Sequence, residues 1–335
     1  MADLPRPIAI YHEHPDWFRP LFAELDRRGT SYVRLDAAAH TFDVSSRDDA
    51  DAYAVVLNRM SPSAYLRGHG QGIFHTLGYL AHLERLGVRV INGTRAYGLE
   101  ISKAQQLALL RTLGLPFPAA RVINHASQAV AASQGLRFPV VVKANVGGRG
   151  AGIVRYDTPD ALARAAGDGR LDLGIDQTAL VQEYIPARGG HITRVEVLDG
   201  RFLYAINVYA AGDSFNLCPA DICQTSAGVA LARGACAIDA PRNGIRVEQA
   251  HVGPDVMADV ERIMREAGIE IGGVEFLVDD RDGQRYYYDI NALSNFVADA
   301  PRVVGFDPFA TLAEWLEREA AAALAARHRE ELTTA

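Results

Sequence analysis

The sequence predicts an α/β (α+β) protein of more than one domain, and three observations carry that reading. Short apolar runs alternate with helical patterns through the first 95 residues, as in a parallel βαβ unit. A glycine-rich stretch, Gly147 to Gly152, separates two apolar runs. Near 272–295, two apolar, aromatic-rich runs flank an Asp-Asp-Arg-Asp-Gly turn and carry Glu275, Asp289 and Asn291. With 335 residues, 49% of them apolar and 22% charged, the chain has length for two or three domains and a sizeable core.

Taken in order, the apolar runs at 8–11, 32–35, 53–58 and 88–91, with helical patterns at 16–28 and 71–86, make residues 1–95 a small βαβ domain with a parallel sheet. Ligands of such sheets bind beyond the carboxyl ends of the strands. That puts His12, Glu13, His14, Arg59 and Ser61 near a substrate, or leaves them as ordinary loop residues. Residues 96–185 open with a helix that Ser102 can N-cap, followed by strands on either side of the glycine stretch and a helix at 159–167. Residues 186–325 begin with a hairpin at 191–210 turning at Asp199-Gly200, then hold a helix at 254–267 and the acidic hairpin. From Pro308 a long helix turns Phe309, Leu312, Trp315 and Leu316 inward at helical spacing, and its polar end, 320–335, is expected to fray.

The acidic hairpin is the most informative segment. Glu275 and Asp289 lie seven residues either side of Asp282, so antiparallel pairing about that turn sets the two carboxylates opposite each other. Strand side chains alternate faces, and Asn291 therefore shares a face with Asp289. Like charges across a sheet are destabilising unless a cation lies between them. Two carboxylates and an amide are hard oxygen donors of the kind Mg²⁺ takes together with substrate phosphates. The bland alternative is a solvated hairpin.

In the glycine stretch an apolar run, not an amphipathic helix, follows the loop, which argues against a dinucleotide-binding turn. No Gly-Lys-Ser/Thr closes it, so it is not a Walker loop. What remains is a strand–loop–strand flap whose backbone N–H groups can approach phosphate oxygens where no side chains obstruct them, or a plain surface hairpin. Arg149 and the preceding Lys143 add positive charge.

These segments, with Lys103 in ISKAQQ and the run VQEYI at 181–185, resemble in order and spacing the ATP-grasp superfamily, in particular its RimK-like and D-alanine–D-alanine-ligase-like carboxylate–amine ligases. The resemblance covers most of residues 90–318. It implies an ATP-grasp fold with an N-terminal pre-grasp βαβ domain (1–95) and two nucleotide-clasping subdomains (96–185 and 186–325). It further implies ATP and Mg²⁺ as cofactors, a small-molecule carboxylate and an amine as substrates, and a homodimer. Carried over by position, Lys103 and Lys143 are the phosphate-binding lysines. Gly147, Gly148, Arg149, Gly150 and Gly152 form the flap. Gln182, Glu183, Tyr184 and Ile185 form the hinge strand, with the backbone of Glu183 and Ile185 reading the adenine edge. Glu275, Asp289 and Asn291 hold the metal, and Asn216 resembles an asparagine placed near the phosphates.

Two positions depart from the pattern. The ribose-binding acid after the hinge is missing, leaving His191 or Thr193 to substitute. Where D-alanine ligases carry an arginine two residues before the first metal ligand, this chain has Gly273, so the cation that steadies the phosphoryl group falls to Arg194 or Arg302. Cys218 and Cys223 have no second close pair to complete a zinc site and read as buried fillers.

Composition narrows the class. A net charge of −7 argues against general nucleic-acid binding. No apolar run reaches bilayer length, the first residues lack a signal core, and an odd count of three cysteines suits a reducing, cytoplasmic compartment. The expected activity is ATP-dependent activation of a carboxylate as an acyl phosphate, followed by attack of an amine. The rival readings are a kinase acting on a hydroxyl, a carboxylate–thiol ligase, and a non-catalytic ATP-binding regulatory module.

Overall fold

The computed structural model describes residues 6–14, 16–148, 150, 152–209 and 246–334. The first sheet is parallel, with order β2-β1-β3-β4: β1 (Ile8–His12), β2 (Tyr32–Asp36), β3 (Val55–Arg59) and β4 (Val90–Ile91). Strands β1 and β3 are buried on both faces, the pattern a parallel sheet requires. The second sheet is antiparallel, with order β5-β8-β6-β7: β5 (Ala120–Ile123), β6 (Val140–Ala144), β7 (Val154–Tyr156) and β8 (Ala179–Glu183). The third is also antiparallel, with order β11-β10-β9-β12-β13: β9 (His191–Leu198), β10 (Arg201–Tyr209), β11 (Arg246–Ala250), β12 (Ile271–Val278) and β13 (Arg285–Asn291).

Local chemistry accounts for the joints. At the β9–β10 turn Asp199 and Gly200 both adopt positive φ (56° and 67°), the twist a two-residue hairpin needs. The helix Pro254–Ala267 starts on proline, buries Val256, Val260, Ile263, Met264 and Ala267 along one stripe, and stops at Gly268 in the left-handed region.

The core joins the sheets instead of dividing them. One apolar cluster runs from Ile8, Ile10, Phe18 and Leu57 of the first sheet's layer to Ile192, Ile206 and Ile271 of the third sheet. It continues onto Leu312, Trp315 and Leu316 of the helix Pro308–Thr334. Arg28 fastens that helix to the helix Arg19–Arg28 through Glu317 (Nη2 to Oε2, 2.6 Å), and Thr30 Oγ1 adds a bond of 2.5 Å. The expectation of a frayed end is corrected here. The helix continues to Thr334, Ala320 is fully buried, and Arg327 Nη1 donates to Ala50 O and Tyr53 O (2.5 and 3.2 Å). The polar tail is held because its arginine finds backbone carbonyls of the N-terminal layer. Among the described residues no helix is long and apolar enough to cross a membrane.

Candidate active site

The acidic hairpin forms as its spacing implies. Glu275 on β12 faces Asp289 on β13, and Asn291 pairs with Gly273 one step along the same face, its Nδ2 donating to Asp289 Oδ2 over 3.2 Å. A bulge follows Glu275, so Phe276 pairs with Tyr287 and leaves Tyr288 over. The extra residue bends its side chain to the acidic face, where Tyr288 Oη donates to Glu275 Oε2 over 2.9 Å.

Neighbouring strands extend this face. On β9 Arg194 pairs with Glu275 and Glu196 with Gly273. Arg194 Nη1 donates to Glu275 Oε1 (2.9 Å) and its Nε to Glu196 Oε1 (2.5 Å). Glu196 Oε2 is buried without a hydrogen-bond partner. On the other flank Lys103 Nζ reaches Asp289 Oδ1 at 2.5 Å. Each carboxylate therefore already has a protein cation: Arg194 on Glu275 and Lys103 on Asp289. Burial first, then the nearby Asp289 charge, hold the Glu275 carboxyl above its usual range. For Asp289 burial pushes upward, but Lys103, Lys143 and Asn291 outweigh it and hold the group low.

Lys103 is placed by the start of its helix. Ser102 Oγ accepts from the Gln105 N–H (3.3 Å) as N-cap, and donates to Asn145 Oδ1 (3.2 Å). Asn145, just beyond β6, also accepts from the Ala104 and Lys103 N–H groups, at Oδ1 (2.9 Å) and its backbone O (3.2 Å). It thus links the helix bearing Lys103 to the strand bearing Lys143. Lys143 is 5% exposed and makes no hydrogen bond or ion pair among the described residues. Burial, with Lys103 adding repulsion, pushes its ammonium down to about 7.

Gln182 sits opposite Val141 on the Lys143 face of the second sheet, and its Oε1 is buried without a partner. The Glu183 N–H donates to Ala119 O and the Tyr184 N–H to Pro139 O (both 2.9 Å), so of the Glu183 backbone only the carbonyl is left to read a ligand edge. The flap is strand–loop–strand, with Val142 of β6 paired to Val154 of β7. Gly150 and Gly152 adopt positive φ (69° and 71°), and a Cβ built on Gly148 falls 3.4 Å from Ser63 Cβ, so the loop reaches the N-terminal layer.

Not every expected residue joins the cluster. Arg302 is exposed and held by Asp299, one turn earlier in its own segment. His191, at the start of β9, packs tilted against Tyr209 (ring centroids 5.0 Å apart) and meets Gly189 O at 3.4 Å. Arg149, Asn216, Cys218 and Cys223 lie outside the described residues. Three residues had no signal of their own in the sequence. Glu196 and Tyr288 belong to the cluster. Glu100 is buried behind it, accepts from the Ala292 N–H, and is pushed up to about 7 by burial. Glu196 follows from Arg194 by period two; Tyr288 depends on the bulge.

The donors fit Mg²⁺ chemically: Glu275, Asp289 and Asn291 present oxygen atoms at one end of the third sheet. Among the described residues no group of three or more His, Cys, Asp and Glu side chains forms a metal site. The orphaned Gln182 Oε1 and the uncompensated Lys143 likewise fit a ligand that brings N–H donors and anionic oxygens.

Residues 101–217 match the family model of the RimK-like ATP-grasp domain. The whole chain has the ATP-grasp fold. Its fold superposes on the ATP-grasp ligase PsnB complexed with a phosphomimetic variant of its minimal precursor, Mg and ADP, with TM-score 0.66, 19% identity, and 95% and 100% of the two chains covered. The RimK domain protein ATP-grasp from Sphaerobacter thermophilus gives TM-score 0.64, 20% identity and 92% and 98% coverage. The D-alanine–D-alanine ligase from Bacillus anthracis gives 0.63, 15%, and 97% and 99%. At these identities the likeness concerns the ATP-grasp fold. No curated protein matches the chain.

Proposed function

We propose that this ATP-grasp protein is an ADP-forming ligase that activates a carboxylate as an acyl phosphate and joins it to an amine. The observation that carries this reading is the arrangement of charge: Lys103 and Lys143 beside a Glu275–Asp289–Asn291 donor set, under a glycine flap. A carboxylate is a poor electrophile. Its oxygen attacks the γ-phosphorus of ATP, ADP leaves, and the acyl phosphate has a good leaving group. The amine then attacks the acyl carbon, loses a proton, and phosphate departs.

Little covalent chemistry is asked of the protein; it positions groups and neutralises charge. Lys103 and Lys143 offset the phosphate oxygens, and Arg194 is the cation placed to steady the phosphoryl group in transfer. Glu275, Asp289 and Asn291 would hold Mg²⁺, which would supply neutralisation of the phosphate charge. Gln182 Oε1 and the Glu183 carbonyl offer acceptors to the adenine edge. The flap excludes water, which would otherwise hydrolyse the acyl phosphate. The likeness to PsnB, an ATP-grasp ligase complexed with Mg and ADP, and to a D-alanine–D-alanine ligase supports a ligase that uses ATP with Mg²⁺. A homodimer in the cytoplasm completes the reading.

Phosphorus NMR of the protein with Mg-ATP and a pool of amino acids and small carboxylates tests it, with Asp289→Ala as control. ADP and inorganic phosphate appearing only with the pool, and only with the wild type, support ligation. A stable phosphate-ester signal would instead indicate a kinase.

A further inference from the structure

Arg59 ends β3 and is 2% exposed. Its Nε and Nη1 are buried without a hydrogen-bond partner. The guanidinium lies over the Phe18 ring, 5.2 Å from its centroid, and beside His12, its register partner on β1. His12 is itself packed edge-on to Phe18 (5.6 Å) and against Phe22 (5.3 Å). Burying a guanidinium without a bonded anion is costly. Burial lowers its pKa to about 10, which still leaves it charged at neutral pH.

The location gives that charge a use. Arg59 lies at the carboxyl end of a parallel sheet, where ligands of such sheets bind. It feels the charges of Glu100, Glu196 and Arg194, yet bonds none of them. Arg194 in turn holds Glu275, so the charges that act on Arg59 include one bonded to the donor set. The loop that follows it, Met60 to Ser63, is the part of the N-terminal layer that the flap touches through Gly148.

We propose that Arg59 receives the carboxylate of the substrate that is activated, and so determines that the site takes an anionic acyl group. The assignment rests on the ligase reading above. A planar guanidinium suits a carboxylate or a phosphate oxygen set equally, so the test separates the acyl substrate from the nucleotide.

Thermal denaturation of the full chain in sodium formate, against sodium chloride at matched ionic strength, is measured for the wild type, Arg59→Met and Arg59→Lys, with Mg-ATP titrated calorimetrically into each. Formate raises the wild-type Tm by several degrees over chloride, the Arg59→Met shift vanishes, and Arg59→Lys keeps part of it. Arg59→Met melts higher than wild type in chloride, because the unpartnered charge is gone. Its Mg-ATP affinity stays within about twofold of wild type, since the guanidinium does not serve the phosphates. If the methionine variant does not fold, Arg59→Gln takes its place. The proposal is overturned by a formate shift equal in wild type and variant, by none in the wild type, or by a tenfold loss of Mg-ATP affinity on losing Arg59. Absence of Mg-ATP binding in every protein would instead sink the ligase reading, while the formate comparison still decides Arg59.

Discussion

Arg194 reaches Glu275 beside Gly273, the β12 glycine whose register partner on β9 is Glu196. A Cβ built on Gly273 falls 3.1 Å from Arg194 Nη2 and 3.1 Å from Glu196 Oε2. The glycine therefore makes room for a guanidinium supplied by the neighbouring strand. Gly273→Ala forces that guanidinium or Glu196 to shift. A loss of about 1–3 kcal/mol is expected, as for overpacking elsewhere, with a larger fall in turnover than Ala substitution at exposed Arg302 produces. Urea denaturation and steady-state kinetics of the two variants check this; equal turnover would count against a role for Arg194.

Lys103 and Asp289 form a buried pair, with side chains 12% and 20% exposed. Removing one partner strands the other charge. Lys103→Met should cost about 3–5 kcal/mol, and Lys103→Met with Asp289→Asn should recover most of it. A double-mutant cycle by chemical denaturation measures the coupling, and simple additivity of the two losses would contradict the pairing.

Lys143 gives a pH signature. Burial pushes its ammonium down to about 7, below the ordinary lysine value of 10.5. The unfolded chain then binds more protons between those values, so this residue makes stability rise with pH from about 7 to 10.5 and costs most below 7. Lys143→Met should raise the Tm strongly at pH 6 and little at pH 10. A Tm difference independent of pH would show that the ammonium is not strained. Binding of Mg-ATP should also take up protons near pH 7.5, read from calorimetry in buffers of different ionisation enthalpy.

The N-cap at Ser102 opens the helix that carries Lys103. Ser102→Ala should cost about 1 kcal/mol and weaken ATP binding more than Ser127→Ala, which alters an exposed residue outside the cluster. Parallel melting curves and ATP titrations compare them.

Much of this site was legible because strand geometry is arithmetic. Equal spacing about Asp282 pointed to Glu275 facing Asp289, a pairing that holds because the bulge offsets a turn that pairs Val278 with Arg285; period two brought in Asn291, and the residues around Gly147–Gly152 excluded a helix-opening loop. Hidden parts depend on tertiary contact. The bulge that turns Tyr288 toward Glu275 shifts the register by one residue, which no alternation pattern announces. Asn145 bridges two elements more than forty residues apart in sequence only through folding. Arg302 carries the same charge as Arg194, and only the strand register separates a cation in the cluster from one paired locally with Asp299. The C-terminal segment was polar enough to suggest fraying because its anchors, carbonyls of Ala50 and Tyr53, belong to another layer.

Oxygen transfer tests the central claim most directly. The wild type is supplied with Mg-ATP, the amine pool and carboxylates labelled with ¹⁸O in the carboxyl group, and the released phosphate is read by the isotope shift of its phosphorus signal. An acyl phosphate requires one carboxyl oxygen to leave with the phosphate, so the account predicts one ¹⁸O per phosphate formed. Phosphate whose new oxygen comes from water would contradict it.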